Sequence, residues 1–399
     1  MNNQMDPSLS NNNNIKWLLI IGVILIGANL RVPLTSAGSL VSFIRDDFGI
    51  SNAQAGVITT LPLIAFALLS PFAPKIANRI GMERTIAVSL VLLLAGVLTR
   101  STGSIELLFT GTLMIGLAIA VGNVLMPGIV KMNFPHKIGL MTGLYAIVMN
   151  MFGALGSGLS IPIAASGGFG WQGSLIIWSA LTVLTIIVWL PQVTKKHQKN
   201  TRLRNQKIGG LLRSPLAWTI TIFMGAQSLI FYTLITWLPT ILTANGYDIE
   251  LAGWGVFIFQ FASIPFTFII PVIADKMKNQ VPIALISSLM IITGIVGLLA
   301  GLSNLSLLWI ILLGIGNGSA FSLSMMFFTL RSRDGYEAAE LSGMAQSFGY
   351  LLAAFGPVLV GGLQDMTGSW TLPLLMMSII AVIMLVTGIA SGKNKQVTN

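Results

Sequence analysis

The sequence predicts an all-α membrane protein with twelve spanning helices, and its composition, its long apolar segments and the placement of its basic residues support this fold class. Of 399 residues, 54% are hydrophobic and only 9% are charged, and the mean hydropathy is +0.84. A soluble domain usually carries about 25% charged residues. So few charges cannot cover a water-exposed surface of this size, and the surplus apolar surface must therefore face lipid.

Segments of spanning length follow one another along the chain. A spanning helix needs about 20 mostly apolar residues. We predict spans at 16–38, 52–73, 84–101, 105–130, 138–165, 171–191, 215–241, 251–274, 281–301, 304–330, 339–362 and 369–391. The chain then divides into a disordered N-terminus (1–15), a first six-helix bundle (16–191), a linker (192–214), a second six-helix bundle (215–391) and a tail (392–399). A regulatory site in the polar linker is the alternative interpretation of that segment.

The basic residues predict the orientation in the membrane. With the N-terminus inside, all 22 lysines and arginines except Arg31, Arg45 and Arg100 fall in inner segments. This is the positive-inside bias of membrane proteins. We therefore expect a multi-pass protein of the bacterial inner membrane with both termini in the cytoplasm. The net charge of +10 then reports topology, and no nucleic-acid partner is expected.

Side chains that could carry out catalysis are scarce. The chain has no cysteine, and its two histidines (His136 and His197) lie in polar segments. The acids found within predicted spans, Glu106 and Glu340, each lie at the second residue of a span, and no Asp or Glu lies deeper. A catalytic site needs a nucleophile, a base or a metal cluster. We therefore expect no catalytic residues, no metal and no other cofactor. A sensor would need a soluble output domain, and no segment is long enough for one.

The two halves of the chain repeat each other. The segment after the second span, 74–81, matches the segment after the eighth, 271–278, and the glycine pair at 143 and 156 recurs with the same spacing at 343 and 356. Two parallel six-helix repeats are typical of one large group of secondary transporters.

A loop motif carries a family resemblance. It reads Pro74-Lys-Ile-Ala-Asn78-Arg79-Ile-Gly81-Met-Glu-Arg84. With six plus six helices and a basic central loop, it resembles the Major Facilitator Superfamily signature Gly-x-x-x-Asp-Arg-x-Gly-Arg-Arg. Here Pro74 replaces the first glycine and Asn78 the aspartate, whereas Asp275 in the second copy retains the acid. The resemblance implies a gating loop formed by Asn78, Arg79, Gly81, Arg84, Asp275 and Lys276, and a protein that works as a monomer.

Further segments resemble one branch of this superfamily. They are Asn29-Leu-Arg31-Val-Pro33, Thr59-Thr-Leu-Pro62, GLAIAVGNVLMP from Gly116 to Pro127, Gly139-Leu-Met-Thr-Gly-Leu-Tyr145 and Trp237-Leu-Pro239. They look like the cyanate-permease-like branch, which also includes a nitroimidazole transporter. The resemblance implies a secondary transporter that moves a small solute across the lipid bilayer by alternating access, and it suggests cyanate as the solute.

Arg31 is the charged residue that lies deep within a predicted span, away from its ends. It lies about 15 residues into the first span, hence roughly 22 Å along a helix that rises 1.5 Å per residue. A charge at the centre of a span costs about 2.5–3.5 kcal/mol on insertion scales. One interpretation is that an anionic substrate supplies the missing negative charge, because a planar guanidinium binds oxyanions through two hydrogen bonds. The alternative is that Arg31 extends outward to Asp46 or Asp47, or binds backbone carbonyls.

Other polar side chains in the spans are candidate substrate contacts. For Asn123 the alternative is an interhelical hydrogen bond, and for Tyr232 it is a hydrogen bond to the backbone. The full set of substrate-binding candidates is Arg31, Asn29, Asn123, Tyr145, Asn150, Gln227, Tyr232, Gln260, Gln346 and Tyr350.

Two functional hypotheses remain open from the sequence. The first is a carrier for a small anion such as cyanate, with Arg31 as its anchor. The second is an exporter of neutral or weakly basic aromatic compounds such as nitroimidazoles, in which Tyr145, Tyr232 and Tyr350 contact the solute and Arg31 is structural. Because no predicted span holds a carboxylate or histidine away from its ends, transport is expected to be facilitated diffusion or to be coupled through the substrate's own charge or proton.

Overall fold

The computed structural model describes residues 7–50, 52–166, 170–194, 210–247, 249–301 and 303–397, and nearly all of them are helical. Sixteen α-helices occur in these ranges, with no strand among them. They are α1 (Pro7–Asn29), α2 (Val32–Ser39), α3 (Val41–Phe48), α4 (Asn52–Leu69), α5 (Ala73–Ile80), α6 (Met82–Arg100), α7 (Ile105–Asn133), α8 (Ile138–Ser166), α9 (Gly170–Ile176), α10 (Ser179–Val193), α11 (Pro215–Ala244), α12 (Ile249–Lys276), α13 (Val281–Leu299), α14 (Ser306–Leu330), α15 (Gly335–Thr367) and α16 (Thr371–Gly392).

These helices confirm the twelve-span fold class. Within the described ranges, eleven spans are long and apolar enough to cross a membrane, and α4 with α5, bent by 57° at their junction, completes the twelfth. The first span, Trp17–Ser39, consists of α1 and α2 together. Large apolar side chains on the outer faces are exposed, among them Val88, Phe261 and Val358. A lipid-facing surface of this kind is what the low charge content requires.

The N-terminus differs from the prediction. Helix α1 begins at Pro7, whereas the polar composition predicted disorder up to residue 15. Proline is well suited to the first helical turn, because its missing N–H has no helical partner there. A long apolar helix can then propagate backward into the Asn-rich segment, since extending a helix costs less than starting one. Most of the predicted linker (195–209) lies outside the described residues.

The chain forms two compact units. The first unit contains residues 1–129 and 144–204, and the second contains 130–143 and 205–399. The segment 130–143 was predicted to belong with the first bundle. It groups with the second unit because Lys131 Nζ donates to the carbonyls of Thr329 and Ser332, and the backbone N–H of Gly139 donates to Asp275.

Close helix contacts organise the first unit. A Cβ at Gly22 would lie 2.7 Å from the ring of Trp189, and a Cβ at Gly27 would lie 2.8 Å from the carbonyl oxygen of Tyr145. Trp189 is fully buried and donates from Nε1 to the carbonyl of Glu83 at 2.9 Å. Small residues permit this close approach between spanning helices, so α1 is fixed against both α8 and α10.

A buried arginine fixes one end of the second unit. Arg331 follows α14 and donates to the carbonyls of Ser391 and Gly392 at 2.9 Å and to Oε1 of Gln280. Burial lowers the pKa of Arg331 to about 10, so the guanidinium stays protonated near neutral pH. Its own carbonyl accepts from the N–H of Val397 at 2.9 Å. This arginine therefore joins the end of α14 to α16, the start of α13 and the tail.

Candidate functional site

The first span is broken next to Arg31. Helix α1 ends at Asn29 and α2 begins at Val32. Pro33 has no N–H to donate to the carbonyl of Asn29, and its ring clashes with a helical carbonyl four residues earlier. Arg31 has φ −122° and ψ −44° at the N-cap of α2. Its carbonyl accepts from the N–H groups of Leu34 and Thr35 at 3.0 and 3.1 Å. The proline therefore places Arg31 at a helix break inside the span.

The Arg31 side chain lies against α8. It is half-buried, and its Cγ is 2.6 Å from the position that a Cβ would take at Gly153. Only a residue without a side chain lets the arginine pass so close to the helix backbone. The acids that the sequence offered as partners have contacts of their own: Asp46 pairs with Arg45 at 2.7 Å, and Asp47 accepts from Trp171 Nε1 at 2.8 Å.

Asn29, at the end of α1, forms hydrogen bonds with α10. Its Nδ2 donates to Thr185 Oγ1 at 2.8 Å and to the carbonyl of Leu25 at 2.9 Å, and its Oδ1 accepts from Thr182 Oγ1 at 2.7 Å. The side chain is 1% exposed. It also borders a cavity of about 10 Å³, which has room for about one water. The amide therefore joins α1 to α10, and a contact between Asn29 and the solute stays a prediction.

Other first-unit candidates differ in their surroundings. Asn150 lies one helical turn before Gly153, on the same face of α8. It is half-buried and donates to the carbonyl of Ala146 at 2.9 Å. Asn123 on α7 is also half-buried and follows a glycine that packs on Leu30, the residue before Arg31. Tyr145 is 3% exposed and packs on α1. Asn123 and Asn150 thus lie near the helix break, whereas Tyr145 is part of the packing.

In the second unit, Gln227 joins two helices. Its Nε2 donates to Asn317 Oδ1 at 2.8 Å, and its Oε1 accepts from Ser228 Oγ at 3.2 Å. The side chain is 2% exposed. This pairing joins α11 to α14 through the amide of Gln227, and a contact between Gln227 and the solute stays a prediction. Gln260 is exposed on α12.

Tyr232, Gln346 and Tyr350 form an aromatic–amide cluster in the second unit. The rings of Tyr232 and Tyr350 are 6.5 Å apart and meet edge to face. Gln346 lies one turn before Tyr350 on α15, is 1% exposed, and donates from Nε2 to Ser342 Oγ at 2.8 Å. Its Oε1 is buried with no hydrogen-bond partner in the described part of the chain. The cluster therefore offers aromatic edges and a hydrogen-bond acceptor.

The first copy of the predicted gating loop joins α5 to α6. Gly81 has φ 99° and ψ 148°, a conformation that residues with a Cβ rarely adopt. Arg79 is exposed, and Arg84 donates from Nε to the carbonyl of Val193 at 3.5 Å. Asn78 Oδ1 is buried without a hydrogen-bond partner among the described residues.

The second copy makes a defined contact at its acid. Oδ2 of Asp275 accepts from the N–H of Gly139 at 3.0 Å, next to the first residue of α8. A carboxylate at a helix N-terminus is favoured by the unpaired N–H groups and the helix dipole. Lys276 is exposed. The acid that the second copy retains is therefore placed to hold the start of α8.

Arg100 is a buried charged residue that the sequence did not single out. Counting basic residues placed it on the outer side, at the end of the predicted span 84–101. It is indeed the last residue of α6, but it is 1% exposed and so turns into the protein. Its Nη1 donates to the carbonyl of Pro33 at 2.7 Å. The sequence signal for close packing at this level was the pair of glycines at positions 96 and 111, which let α6 and α7 touch. Glycines show where two helices can approach, but they do not show whether the side chain of Arg100 points into the protein.

Comparisons with known proteins agree with this architecture. A sequence model of the Major Facilitator Superfamily matches residues 19–357, and the chain belongs to this family. It is therefore a multi-pass membrane transporter. The solved structure of the proton:xylose symporter XylE bound to 6-bromo-6-deoxy-D-glucose superposes with a TM-score of 0.73, covering 96% of this chain and 97% of that one at 15% identity. At that identity the likeness shows the fold.

Within the superfamily, the chain resembles particular bacterial relatives. It is 46% identical to the uncharacterized transporter YycB of Bacillus subtilis, covering 96% of this chain and 94% of the relative. It is 42% identical to the 2-nitroimidazole transporter of Escherichia coli over 98% of both chains. It is 23% identical to the cyanate transport protein CynX of Escherichia coli, covering 88% of this chain and 91% of that one. The predicted branch is thereby confirmed.

Proposed function

We propose that this transporter moves small planar nitro-heteroaromatic solutes such as 2-nitroimidazole by alternating access, with Arg31 as the anchor for the nitro group. Arg31 at the break of the first span is the observation that carries the proposal. The 42% identity to a 2-nitroimidazole transporter, against 23% to a cyanate transport protein, favours the nitro-heteroaromatic solute over the simple anion.

The chemistry of the solute matches a guanidinium. A nitro group presents two oxygens in one plane, and the planar fork of arginine donates two parallel hydrogen bonds to such a pair. The nitro group also withdraws electrons from the ring and acidifies its N–H, so the anion of the solute is accessible. An arginine that cannot lose its proton favours that anion. In this proposal, Arg31 binds the solute in the aromatic case as well as in the anionic one.

The aromatic–amide cluster of the second unit supports an aromatic solute independently. Aromatic pairs prefer edge-to-face or offset arrangements, and the edge-to-face pair of Tyr232 and Tyr350 suits the ring of a heterocycle. The buried Oε1 of Gln346 is an acceptor for a ring N–H. A simple inorganic anion needs neither feature.

A small anion such as cyanate is the second candidate. It is supported by the fixed positive charge of Arg31 and by the resemblance to the cyanate transport protein. Nitro-heteroaromatic anions and cyanate share compact size and delocalised negative charge, so one arginine can serve both.

For either solute we propose facilitated diffusion or coupling through the solute's own proton. Both termini are proposed to lie in the cytoplasm, and the protein is proposed to act as a monomer without enzymatic activity.

The test is thermal stability of the detergent-purified protein against 2-nitroimidazole, imidazole, nitrate and cyanate. A ligand that binds only the folded state stabilises it by about 2.7 kcal/mol at one hundred times its dissociation constant. We expect 2-nitroimidazole to stabilise the wild type and imidazole to have no effect. Arg31→Lys and Arg31→Ala should lose the response, and Arg45→Lys, at a half-buried arginine that pairs with the neighbouring Asp46, should keep it. Equal responses to imidazole and 2-nitroimidazole would contradict the proposal.

A further inference from the structure

Arg100 presents hydrogen-bond donors that nothing in the described part of the chain accepts. The side chain is 1% exposed. Its Nη1 donates to the carbonyl of Pro33 at 2.7 Å, whereas Nε and Nη2 are buried without a hydrogen-bond partner. Buried polar groups are nearly always paired, and each exception asks for an explanation. A buried positive charge is more costly still.

The two unpaired donors form a recognisable set. Nε–H and the adjacent N–H of Nη2 point in parallel from one edge of the guanidinium plane. This edge binds a planar pair of oxygens through two hydrogen bonds. The contact with the carbonyl of Pro33 uses one donor, Nη1, and the neutral side-chain amide of a glutamine could supply such a donor equally well. The arrangement therefore suits a nitro group or a small oxyanion better than a purely structural contact with Pro33.

The backbone under Arg100 is held in place. A Cβ at Gly111 on α7 would lie 2.5 Å from the N of Arg100 and 2.8 Å from its Cα. Gly96, one turn earlier on α6, also contacts α7. The two helices thus touch backbone to backbone at this level, and the guanidinium projects from a fixed point. It meets the first span at Pro33, two residues after Arg31.

We infer that the Nε–Nη2 edge of Arg100 is a second binding site for the nitro group or delocalised anion of the solute, adjacent to the Arg31 site in the first unit. This inference rests on the proposed function and adds a residue to it. Arg31 precedes Val32 in the first span, and Arg100 donates to the carbonyl of Pro33, the residue after Val32. A solute with two acceptor oxygens can pair with either guanidinium in turn. The chain thereby holds two successive binding positions along the translocation path.

The experiment measures the dissociation constants of 2-nitroimidazole and nitrate by calorimetry on the full-length protein in detergent. Arg100→Lys keeps the charge and a donor for the Pro33 carbonyl but removes the paired edge, and Arg100→Gln keeps a neutral donor. Hydrogen bonds to charged groups contribute enough for a loss of about tenfold or more in affinity. We expect such a loss in both variants. The same substitutions at Arg45, whose guanidinium pairs with Asp46, should leave the dissociation constant unchanged.

A second measurement avoids mutation of the binding protein. The Nε–H signal of Arg100, assigned by its loss in Arg100→Lys, should shift when 2-nitroimidazole is titrated into isotope-labelled wild type. An unmoved signal at saturation, or wild-type affinity in both Arg100 variants, overturns the inference. If Arg31→Lys weakens binding while the Arg100 variants do not, the proposed function stands and the inference fails. If wild type binds neither compound, the proposed function fails, and the inference fails with it.

Discussion

Replacing Gly153 by alanine tests whether the position of Arg31 matters for binding. The new Cβ would lie 2.6 Å from Arg31 Cγ. Ordinary contact between carbon atoms begins at about 3.5 Å, so the arginine must move by roughly 1 Å. Functional groups must be held within about 0.5 Å of their productive geometry. We therefore expect the dissociation constant for 2-nitroimidazole to rise about tenfold or more.

Gly158→Ala is the matched control, because it lies on the same helix and its Cβ would meet nothing within 4 Å. Both substitutions gain about 1 kcal/mol of helix propensity, and that gain cancels in the comparison. Calorimetry with 2-nitroimidazole, together with melting temperatures without ligand, separates binding from stability. Wild-type affinity in Gly153→Ala would refute the reasoning, because Arg31 would then tolerate displacement. Equal losses in both variants would also refute it.

Three further substitutions test the structural assignments. Asn29→Ala removes two hydrogen bonds to α10, one of them to Thr182. It should lower the free energy of unfolding by about 1–2 kcal/mol, at roughly 0.6 kcal/mol on average for each interhelical bond. A melting temperature that falls while solute affinity stays constant supports a packing role, and the reverse result contradicts it. Gly81→Ala forces a Cβ into φ 99° and should cost about 1–3 kcal/mol; an unchanged denaturation midpoint would argue against this strain. Arg331→Ala leaves buried acceptors unpaired and should cost at least about 2 kcal/mol, whereas Arg333→Ala, at an exposed side chain, should stay within about 0.5 kcal/mol. Similar melting temperatures for these two arginine variants would contradict the role assigned to Arg331.

The fold was predictable because its main determinant is local. A spanning helix must be long and apolar, and both properties can be counted along the chain. The predicted spans agree with the observed helices to within a few residues in most cases. The break next to Arg31 could have been anticipated from Pro33 as a kink, but a kink alone does not tell which neighbouring helix receives the arginine. That depends on Gly153, far away in sequence.

The site was less predictable, because a polar side chain in a membrane needs a partner whether it is functional or structural. Asn29 and Gln227 satisfy this need with residues 156 and 90 positions away, pairings that no local pattern reveals. Arg100 was misplaced for a related reason. Counting charges at the ends of spans reports which side of the membrane they lie on, and it does not report whether a side chain turns into the protein.

Counterflow of labelled 2-nitroimidazole into proteoliposomes loaded with unlabelled solute tests the central claim most directly. Wild type should accumulate label, unlabelled 2-nitroimidazole added outside should compete, and imidazole should not. Arg31→Lys, which keeps the charge but loses the planar fork, should reduce the initial rate about tenfold or more. If wild type shows no counterflow, or if Arg31→Lys transports at the wild-type rate, the account of Arg31 as the anchor of a nitro-heteroaromatic solute is wrong.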